Sequence, residues 1–276
     1  MAADALRAAA VEPARHRWVE AGSACDLLFA ARPAAARAAL EGLIAGADVV
    51  VQPAAGRRKR LLAADMDSTM IGVECIDELA DYAGVRAEVA AVTARAMRGE
   101  LDFEAALDAR VAMLRGLDAA AIERCRDERV RATPGAAALV RTMRAHGAHT
   151  LLVSGGFAGF AEPVAAMLGF EEVAANRLAI EAGRLTGRVD RPVIGAEGKQ
   201  AALEAAAARL GIALAAALAV GDGANDIAML RAAGLGIAFR ARPAVAAAAD
   251  ARIEHGDLTA LLWAQGYRRN EWVDPD

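Results

Sequence analysis

The sequence predicts an α/β protein: a mainly parallel sheet flanked by helices, with a helical cap inserted after the sheet's first strand and a small α/β extension ahead of it. Three observations carry that expectation. From residue 134 onward, short apolar runs alternate with helix-like segments, which is the pattern of βαβ units. Residues 74–133 read as consecutive amphipathic helices with no convincing strand among them. Apolar residues make up 56% of the chain but aromatics only 4%, and this Ala-rich balance suits helices packed on a sheet better than an aromatic-rich sandwich. At 276 residues the chain can bury one sizeable core and carry a smaller domain.

Residues 1–60 are Ala-rich and carry no assignable chemistry. Pro33 at a first turn, then 34–45 with Leu40, Leu43 and Ile44 on one face, then Gly46, predict a helix with suitable ends. A short strand is expected over 48–52, followed by a linker from Pro53 through the basic run Arg57-Arg58-Lys59-Arg60, read as a solvated segment. The apolar run Leu61-Leu62-Ala63-Ala64 predicts a buried strand ending in Asp65, Asp67, Ser68 and Thr69. Helices are expected at 74–83, 86–98, 102–115 and 118–130, with Gly72 and Thr133-Pro134-Gly135 as the crossings into and out of the cap. A helix at 135–146 leads to a strand at 149–153 ending in Ser154-Gly155-Gly156. A helix at 158–168 then leads to a strand near 171–175. Residues 178–189, turning at Ala182-Gly183, read as a hairpin decorating the sheet. A helix at 197–210 precedes the strand 216–220, which ends in Gly221-Asp222-Gly223-Ala224-Asn225-Asp226. A strand at 235–239, a helix after Pro243, a short strand at 252–254 and a helix at 257–264 complete a Rossmann-like alternation. The expected division is an extension at 1–60, a core at 61–73 and 134–276, and a cap at 74–133.

Composition excludes several function classes. A formal charge of −4 and a pI near 5.7 argue against a nucleic-acid partner, whose phosphates call for a basic surface. Cys25, Cys75 and Cys125 are widely spaced with no CxxC and no paired His, which supports neither a zinc site nor a disulfide framework. No apolar run reaches membrane-spanning length, and the first residues lack a signal-like apolar core, so a cytoplasmic protein with no membrane partner is expected.

Three polar clusters, at Asp65/Asp67, at Ser154 and at Asp222/Asn225/Asp226, each follow directly on an apolar strand, and Lys199 sits near a helix start. Parallel strands point one way, so their carboxyl ends share an edge, and in open α/β sheets ligands bind at that edge. Singly each cluster is weak: acidic turns are usually caps, and Ser-Gly-Gly is usually a tight turn. Together, carboxylates at the ends of different strands call for a cation between them. An all-oxygen site with room for water and phosphate suits Mg²⁺ better than Zn²⁺. Lys199 adds positive charge for a phosphate dianion, and Ser154 with neighbouring backbone N–H groups suits its remaining oxygens.

In order and spacing, the D-x-D-[ST] of Asp65–Ser68, Ser154-Gly155-Gly156, Lys199 and the G-D-G-x-N-D of Gly221–Asp226 resemble the four motifs of the haloacid dehalogenase-like phosphohydrolases. The stretches ADMDSTMIGVECIDELA, MRGELDFEAALDARVAMLRGL, VSGGF and VGDGANDIAMLRAAGLGIAF narrow the resemblance to that superfamily's phosphoserine phosphatases. It covers about residues 61–262 and leaves 1–60 outside. The resemblance implies hydrolysis of phosphoserine to serine and phosphate, the last step of serine biosynthesis, by a cytoplasmic enzyme with Mg²⁺ as cofactor. It implies Asp65 as nucleophile and Asp67 as acid and base. Asp65, the Asp67 carbonyl and Asp222 would hold the metal with Asp226 in support, and Ser154, Gly155, Lys199 and Asn225 would hold phosphate.

Glu74 and Arg110 occupy the family's positions for the substrate ammonium and carboxylate, expected as a buried acid and base under a lid. Phe103 either covers the substrate from the cap or is a plain core aromatic. His16, His146, His149 and His255 match no catalytic position. Alternatives are another small phosphate ester as substrate, phosphotransfer to an alcohol, or an amino-acid sensor built on residues 1–60; a monomer or homodimer fits each.

Overall fold

The structure is a computed structural model, described for residues 1–97 and 100–273. The chain opens with helix α1 (Ala2–Ala8), the antiparallel hairpin β1 (Pro13–Glu20) and β2 (Ala24–Phe29), and helix α2 (Pro33–Leu40). Leu6, Val11 and Ala36 form their small core. The helix expected over 34–45 stops at Leu40, because Glu41 is extended and Gly42 takes a φ of +75° that helical continuation does not allow. The strand expected at 48–52 does not form. That segment is fastened through side chains instead: the Asp48 carboxylate accepts the backbone N–H groups of Glu254, His255 and Gly256, and Gln52 donates to the carbonyl of Ala264.

The basic run is anchored, contrary to the solvated reading. Arg57 pairs with Asp26 at 2.8 Å, and Arg58 pairs with Glu271 at 2.7 Å while lying 4.2 Å over the Tyr267 ring. Lys59 is buried with its Nζ donating to the Ala215 carbonyl at 2.8 Å. The partners lie in the hairpin, in the turn before residue 217 and in the segment around 267–271, far away in sequence, so composition alone gave no hint of them.

The remaining elements are β3 (Leu61–Ala64), α3 (Cys75–Tyr82), α4 (Arg86–Met97), α5 (Phe103–Met113), α6 (Ala120–Arg129), α7 (Ala136–Ala145), β4 (His149–Phe157), α8 (Ala158–Leu168), β5 (Glu172–Asn176), β6 (Leu178–Glu181) and β7 (Arg184–Val189). They are followed by α9 (Ala196–Leu210), β8 (Ala217–Gly221), α10 (Ile227–Ala232), β9 (Leu235–Phe239), α11 (Pro243–Ala248), β10 (Ala251–Ile253) and α12 (Ala260–Gln265). The last residue of the helix expected over 86–98, residue 98, lies outside the described residues, as do residue 99 of the expected cap and 274–276 of the expected core. Helix α10 was not anticipated, since six mostly apolar residues are too few to display a helical period.

Six strands form one parallel sheet in the order β10-β9-β8-β3-β4-β5. β3 is central, pairing with β4 from Leu61/His149 to Ala64/Leu152 and with β8 from Leu61/Ala217 to Ala64/Val220. Both faces are covered: Leu62, Ala64, Leu152, Leu218 and Val220 pack into one core, and Leu61, Ala63, Leu151, Ala217 and Ala219 into the other. This two-sided burial explains why β3 and β8 read as unbroken apolar runs rather than alternating ones.

Helices α3 to α6 stand between β3 and α7. The chain enters and leaves them side by side, with Gly72 N–H donating to the Arg131 carbonyl at 3.2 Å and Thr133 N–H to the Met70 carbonyl at 3.0 Å. The β6–β7 hairpin forms as expected but does not decorate the main sheet. It is a separate two-stranded sheet bound to the helical block, with Gly116 N–H donating to the Leu185 carbonyl (2.8 Å) and Leu185 N–H to the Leu117 carbonyl (2.9 Å). Leu185 and Val189 bury their side chains in the same core as Leu107, Val111 and Leu114, which draws the hairpin toward the helices. Among the described residues no helix is long and apolar enough to cross a membrane.

Candidate active site

Asp65 is held at the sheet edge by the ladder itself, because its N–H continues the β3–β8 pairing to the Val220 carbonyl at 3.0 Å. The next five residues, Met66–Met70, form one tight turn closed by Ile71 N–H on the Met66 carbonyl at 3.0 Å, with Ser68 at a φ of +56°. The turn points Asp65 and Asp67 into different surroundings. Asp65 meets Lys199, whose Nζ lies 2.5 Å from Asp65 Oδ1 and 2.6 Å from Asp226 Oδ1. Asp67 meets the start of α3, where its Oδ1 accepts the N–H of Cys75 at 3.2 Å, a placement that the positive end of a helix favours.

Lys199 and Asp226 are wholly buried and Asp65 nearly so. Lys199 reaches them from the first turn of α9, where its own N–H is bonded to the Gly195 carbonyl. Asp226 receives the Gly223 N–H on its second oxygen at 2.9 Å, which folds the Gly221–Asp226 turn around its carboxylate. Asp222, in the same turn, accepts the Thr69 hydroxyl at 3.3 Å, tying the β8 turn to the β3 turn. Ser154, at the end of β4, is buried, and its Oγ accepts the Gly156 N–H at 2.9 Å. The close approach behind it requires glycine: a Cβ on Gly156 would lie 2.7 Å from Asp67 Oδ2.

Asp65, Asp222 and Asp226 each bring a carboxylate oxygen within 4.8 Å of the others. One ammonium serves these three carboxylates, so the cluster carries surplus negative charge in a buried setting. Burial and the Asp226 charge push Asp65 well above the usual carboxylate range against the pull of Lys199, and burial with Asp226 and Glu74 raises Asp222 to about 6. The strain on these ionisations is that of a site built for one more cation, and the all-oxygen donor set fits a hard divalent metal ion. Lys199 stays charged: burial opposes it, but Asp226 and Asp65 more than offset that and hold it above its ordinary range. Asp67 is raised to about 7, by burial first and by the Glu74 charge, with the Cys75 hydrogen bond pulling down. A carboxyl group in that range exchanges a proton readily near neutrality.

The helical block contributes the other side of the site. Asp102 caps α5 by accepting the Ala105 N–H at 2.7 Å, which fixes Phe103 at the helix start. The Phe103 ring lies against the core backbone: a Cβ on Gly195 would be 2.9 Å from its Cδ1, and one on Gly155 would be 3.2 Å from its Cζ. Phe103 thus meets the Gly155 and Gly195 backbone while also packing against the main apolar core. Asn225 Nδ2 flanks the same Gly155 position at 3.5 Å. Arg110, half-buried two turns along α5, has Asp77, Glu74 and Asp67 as its acidic neighbours; burial lowers its pKa and these charges oppose that. Glu74 is exposed, where a buried acid was expected, because it is the N-cap residue of α3 at the crossing into the helical block; the Ser68 hydroxyl donates to it at 2.6 Å.

All the residues singled out from sequence thus gather around one sheet edge, with Glu74, Phe103 and Arg110 approaching from the helical block. Sequence reading missed Thr69 and Ser68 as side-chain partners of Asp222 and Glu74, and it missed Arg191, which pairs with Glu104 at 2.9 Å and with Asp108, both on α5. It also missed Asn176, a buried polar residue closing β5 at the same edge. The rule that found the other sites, a polar residue at the carboxyl end of an apolar strand, would have found Asn176 too.

Comparison with known proteins agrees with this geometry. The family model of haloacid dehalogenase-like hydrolases matches residues 62–231. A phosphoserine phosphatase of Streptomyces coelicolor is 46% identical over 235 residues, 84% of this chain and 57% of that protein. One from Albidiferax ferrireducens is 49% identical over 209 residues, 74% of this chain and 88% of that protein. The chain thus spans little more than half the length of the first relative and most of the second. A solved structure described as a phospho-aspartyl intermediate analogue of phosphoserine phosphatase superposes with a TM-score of 0.70 at 40% identity, covering 74% of this chain and 98% of that one. With the match running from β3 through α10, across every motif at the sheet edge, the chain belongs to the haloacid dehalogenase-like hydrolases.

Proposed function

We propose that the chain is a phosphoserine phosphatase that hydrolyses O-phospho-L-serine to L-serine and phosphate through an aspartyl-phosphate on Asp65, the last step of L-serine biosynthesis. The observation that carries the reading is the pairing of a phosphate-type site with a recognition side. Asp65, Lys199, Ser154 and the Asp222/Asp226 carboxylates meet at the sheet edge, and Glu74 and Arg110 flank Asp67 from the helical block. The relatives named phosphoserine phosphatase support the substrate. In this reading residues 61–73 and 134–276 form the catalytic core, 74–133 the cap, and 1–60 an extension outside the chemistry. A cytoplasmic setting and a monomer or homodimer belong to the same proposal.

A carboxylate oxygen of Asp65 attacks phosphorus in line; the bond from phosphorus to the serine oxygen breaks, and that oxygen takes the proton of Asp67. Water then attacks the aspartyl-phosphate, gives its proton back to Asp67, and the bond from phosphorus to Asp65 breaks, releasing phosphate. The Asp67 pKa near 7 suits both directions of that transfer. Lys199, the Ser154 hydroxyl, the Gly155 backbone and Asn225 hold the phosphate oxygens. Arg110 takes the substrate carboxylate, Glu74 its ammonium, and Phe103 excludes water from above. Mg²⁺ is the proposed cofactor, held by Asp65, the Asp67 carbonyl and Asp222 with Asp226 in support; when bound it neutralises charge on the transferring phosphoryl group.

The test is phosphate release from a panel of phospho-amino acids and sugar phosphates, with and without Mg²⁺. Strong preference for phosphoserine and loss of activity in chelator are expected. Equal turnover of sugar phosphates would overturn the substrate, and full activity in chelator would overturn the cofactor.

A further inference from the structure

Asn176 uses every polar atom of its side chain on two backbone segments that lie 18 to 21 residues away. Its Nδ2 donates to the Gly155 carbonyl at 2.9 Å and to the Ile194 carbonyl at 3.2 Å, and its Oδ1 accepts the Ile194 N–H at 2.7 Å. The first contact lies in the Ser154-Gly155-Gly156 turn. The peptide between Gly155 and Gly156 is thereby pinned at both ends, its oxygen by Asn176 and its N–H by the Ser154 hydroxyl oxygen. Because Ser154 Oγ already accepts from Gly156, its own proton is left to donate elsewhere. The other contacts fix Ile194, which precedes Gly195, the residue whose carbonyl receives the Lys199 N–H at α9's first turn.

We propose that Asn176 is the positioning residue of the phosphate cradle: its carboxamide sets the separation between the Ser154–Gly156 turn and the start of α9, and so between the Ser154 hydroxyl and the Lys199 ammonium. This rests on the reading of that cradle as the phosphate site. A carboxamide is the side chain that does this, since it offers two donors to two carbonyls and one acceptor to an N–H in a single rigid plane. At 2% exposure no water replaces a lost contact without cost.

The experiment titrates inorganic phosphate calorimetrically into the Mg²⁺-loaded protein, using wild type, Asn176→Ala and Asn176→Asp, each checked by thermal melting. Asn176→Asp keeps the size and the acceptor for Ile194 but sets an oxygen against two carbonyl oxygens. Phosphate affinity is expected to fall about tenfold or more in both variants, the scale of an orphaned buried hydrogen-bonding group. The KM for p-nitrophenyl phosphate should rise in parallel, and the Mg²⁺ concentration needed for half activation should stay unchanged. A residue that merely stabilises the fold would lower the melting temperature and leave phosphate affinity alone. Affinity within twofold of wild type in either folded variant overturns the proposal, and so does failure of both variants to fold, which assigns Asn176 to folding only. If the wild type binds phosphate but does not cleave phosphoserine, the substrate assignment fails while the Asn176 comparison still stands.

Discussion

Replacing Lys199 by Met removes the ammonium while keeping an unbranched side chain of similar reach. In the native protein that ammonium lies 2.5 Å from Asp65 and 2.6 Å from Asp226, and both it and Asp226 are fully buried. Removing one partner of a buried ion pair costs about 3–5 kcal/mol. The nearby Asp222 carboxylate argues for the upper end, since three acidic groups would be left without a counter-charge. Protonation argues for the lower end, because Asp65 already sits well above the carboxylate range and Asp222 at about 6. For Asp222, relief by protonation is available at pH 6 and largely lost at pH 8. Carboxyl groups whose folded pKa is raised lend stability below their unfolded pKa and lose it as pH rises through the folded one. At pH 8 in chelator the loss should therefore approach 3 kcal/mol or more, which for a chain of this size is about 6–12 °C in melting temperature. The gap from wild type should narrow at pH 6. Mg²⁺ should raise the variant's melting temperature more than the wild type's, since it restores charge that the variant lacks. Differential scanning fluorimetry reads all of these quantities. A variant melting within about 2 °C of wild type at pH 8 in chelator would refute the claim that Lys199 holds a buried charge cluster together, the expected loss being several times larger.

Arg110→Ala should lower kcat/KM for phosphoserine about 10- to 100-fold, the worth of a charged hydrogen-bond pair, while turnover of p-nitrophenyl phosphate changes only a few-fold. Equal losses on both esters would remove Arg110 from substrate selection. Arg191→Ala severs the two ion pairs from the core to α5, at Glu104 and Asp108, on the helix that carries Phe103 and Arg110. These groups are exposed, so the pairs together are worth about 1 kcal/mol and KM for phosphoserine should rise about fivefold at low salt. The difference should vanish near 1 M salt, where screening reaches about 3 Å. A difference that survives high salt would mean that Arg191 acts through packing instead.

Much of the fold was legible because buried parallel strands announce themselves. LLAA and ALAVG are covered on both faces, so they read as uninterrupted apolar runs, and each ends abruptly in the acids that the sheet edge presents. The helical block between β3 and α7 was legible as a stretch without strand-like segments, and α3 to α6 form near their expected places. The extension was not. β1 is mostly exposed, so PARHRWVE has no apolar face to alternate with, and its hairpin leaves no trace in the pattern. Nor could sequence place Arg57, Arg58 and Lys59, whose partners at Asp26, Glu271 and Ala215 lie 31 to 213 residues away. At the site, residue types and order pointed to the groups at the sheet edge, but not that Asp67 would accept the Cys75 N–H at the start of α3 or that Glu74 would be exposed, since both depend on how the turn at Met66–Met70 closes.

The most direct measurement is to mix the Mg²⁺-loaded protein with phosphoserine labelled in its phosphate, quench in acid within the first turnover, and locate the label on the chain. The account predicts an acid-stable phosphoryl group on the peptide carrying Asp65 in the wild type, and neither label nor turnover in Asp65→Asn. Label on any other residue, or near-normal turnover by Asp65→Asn, would contradict it.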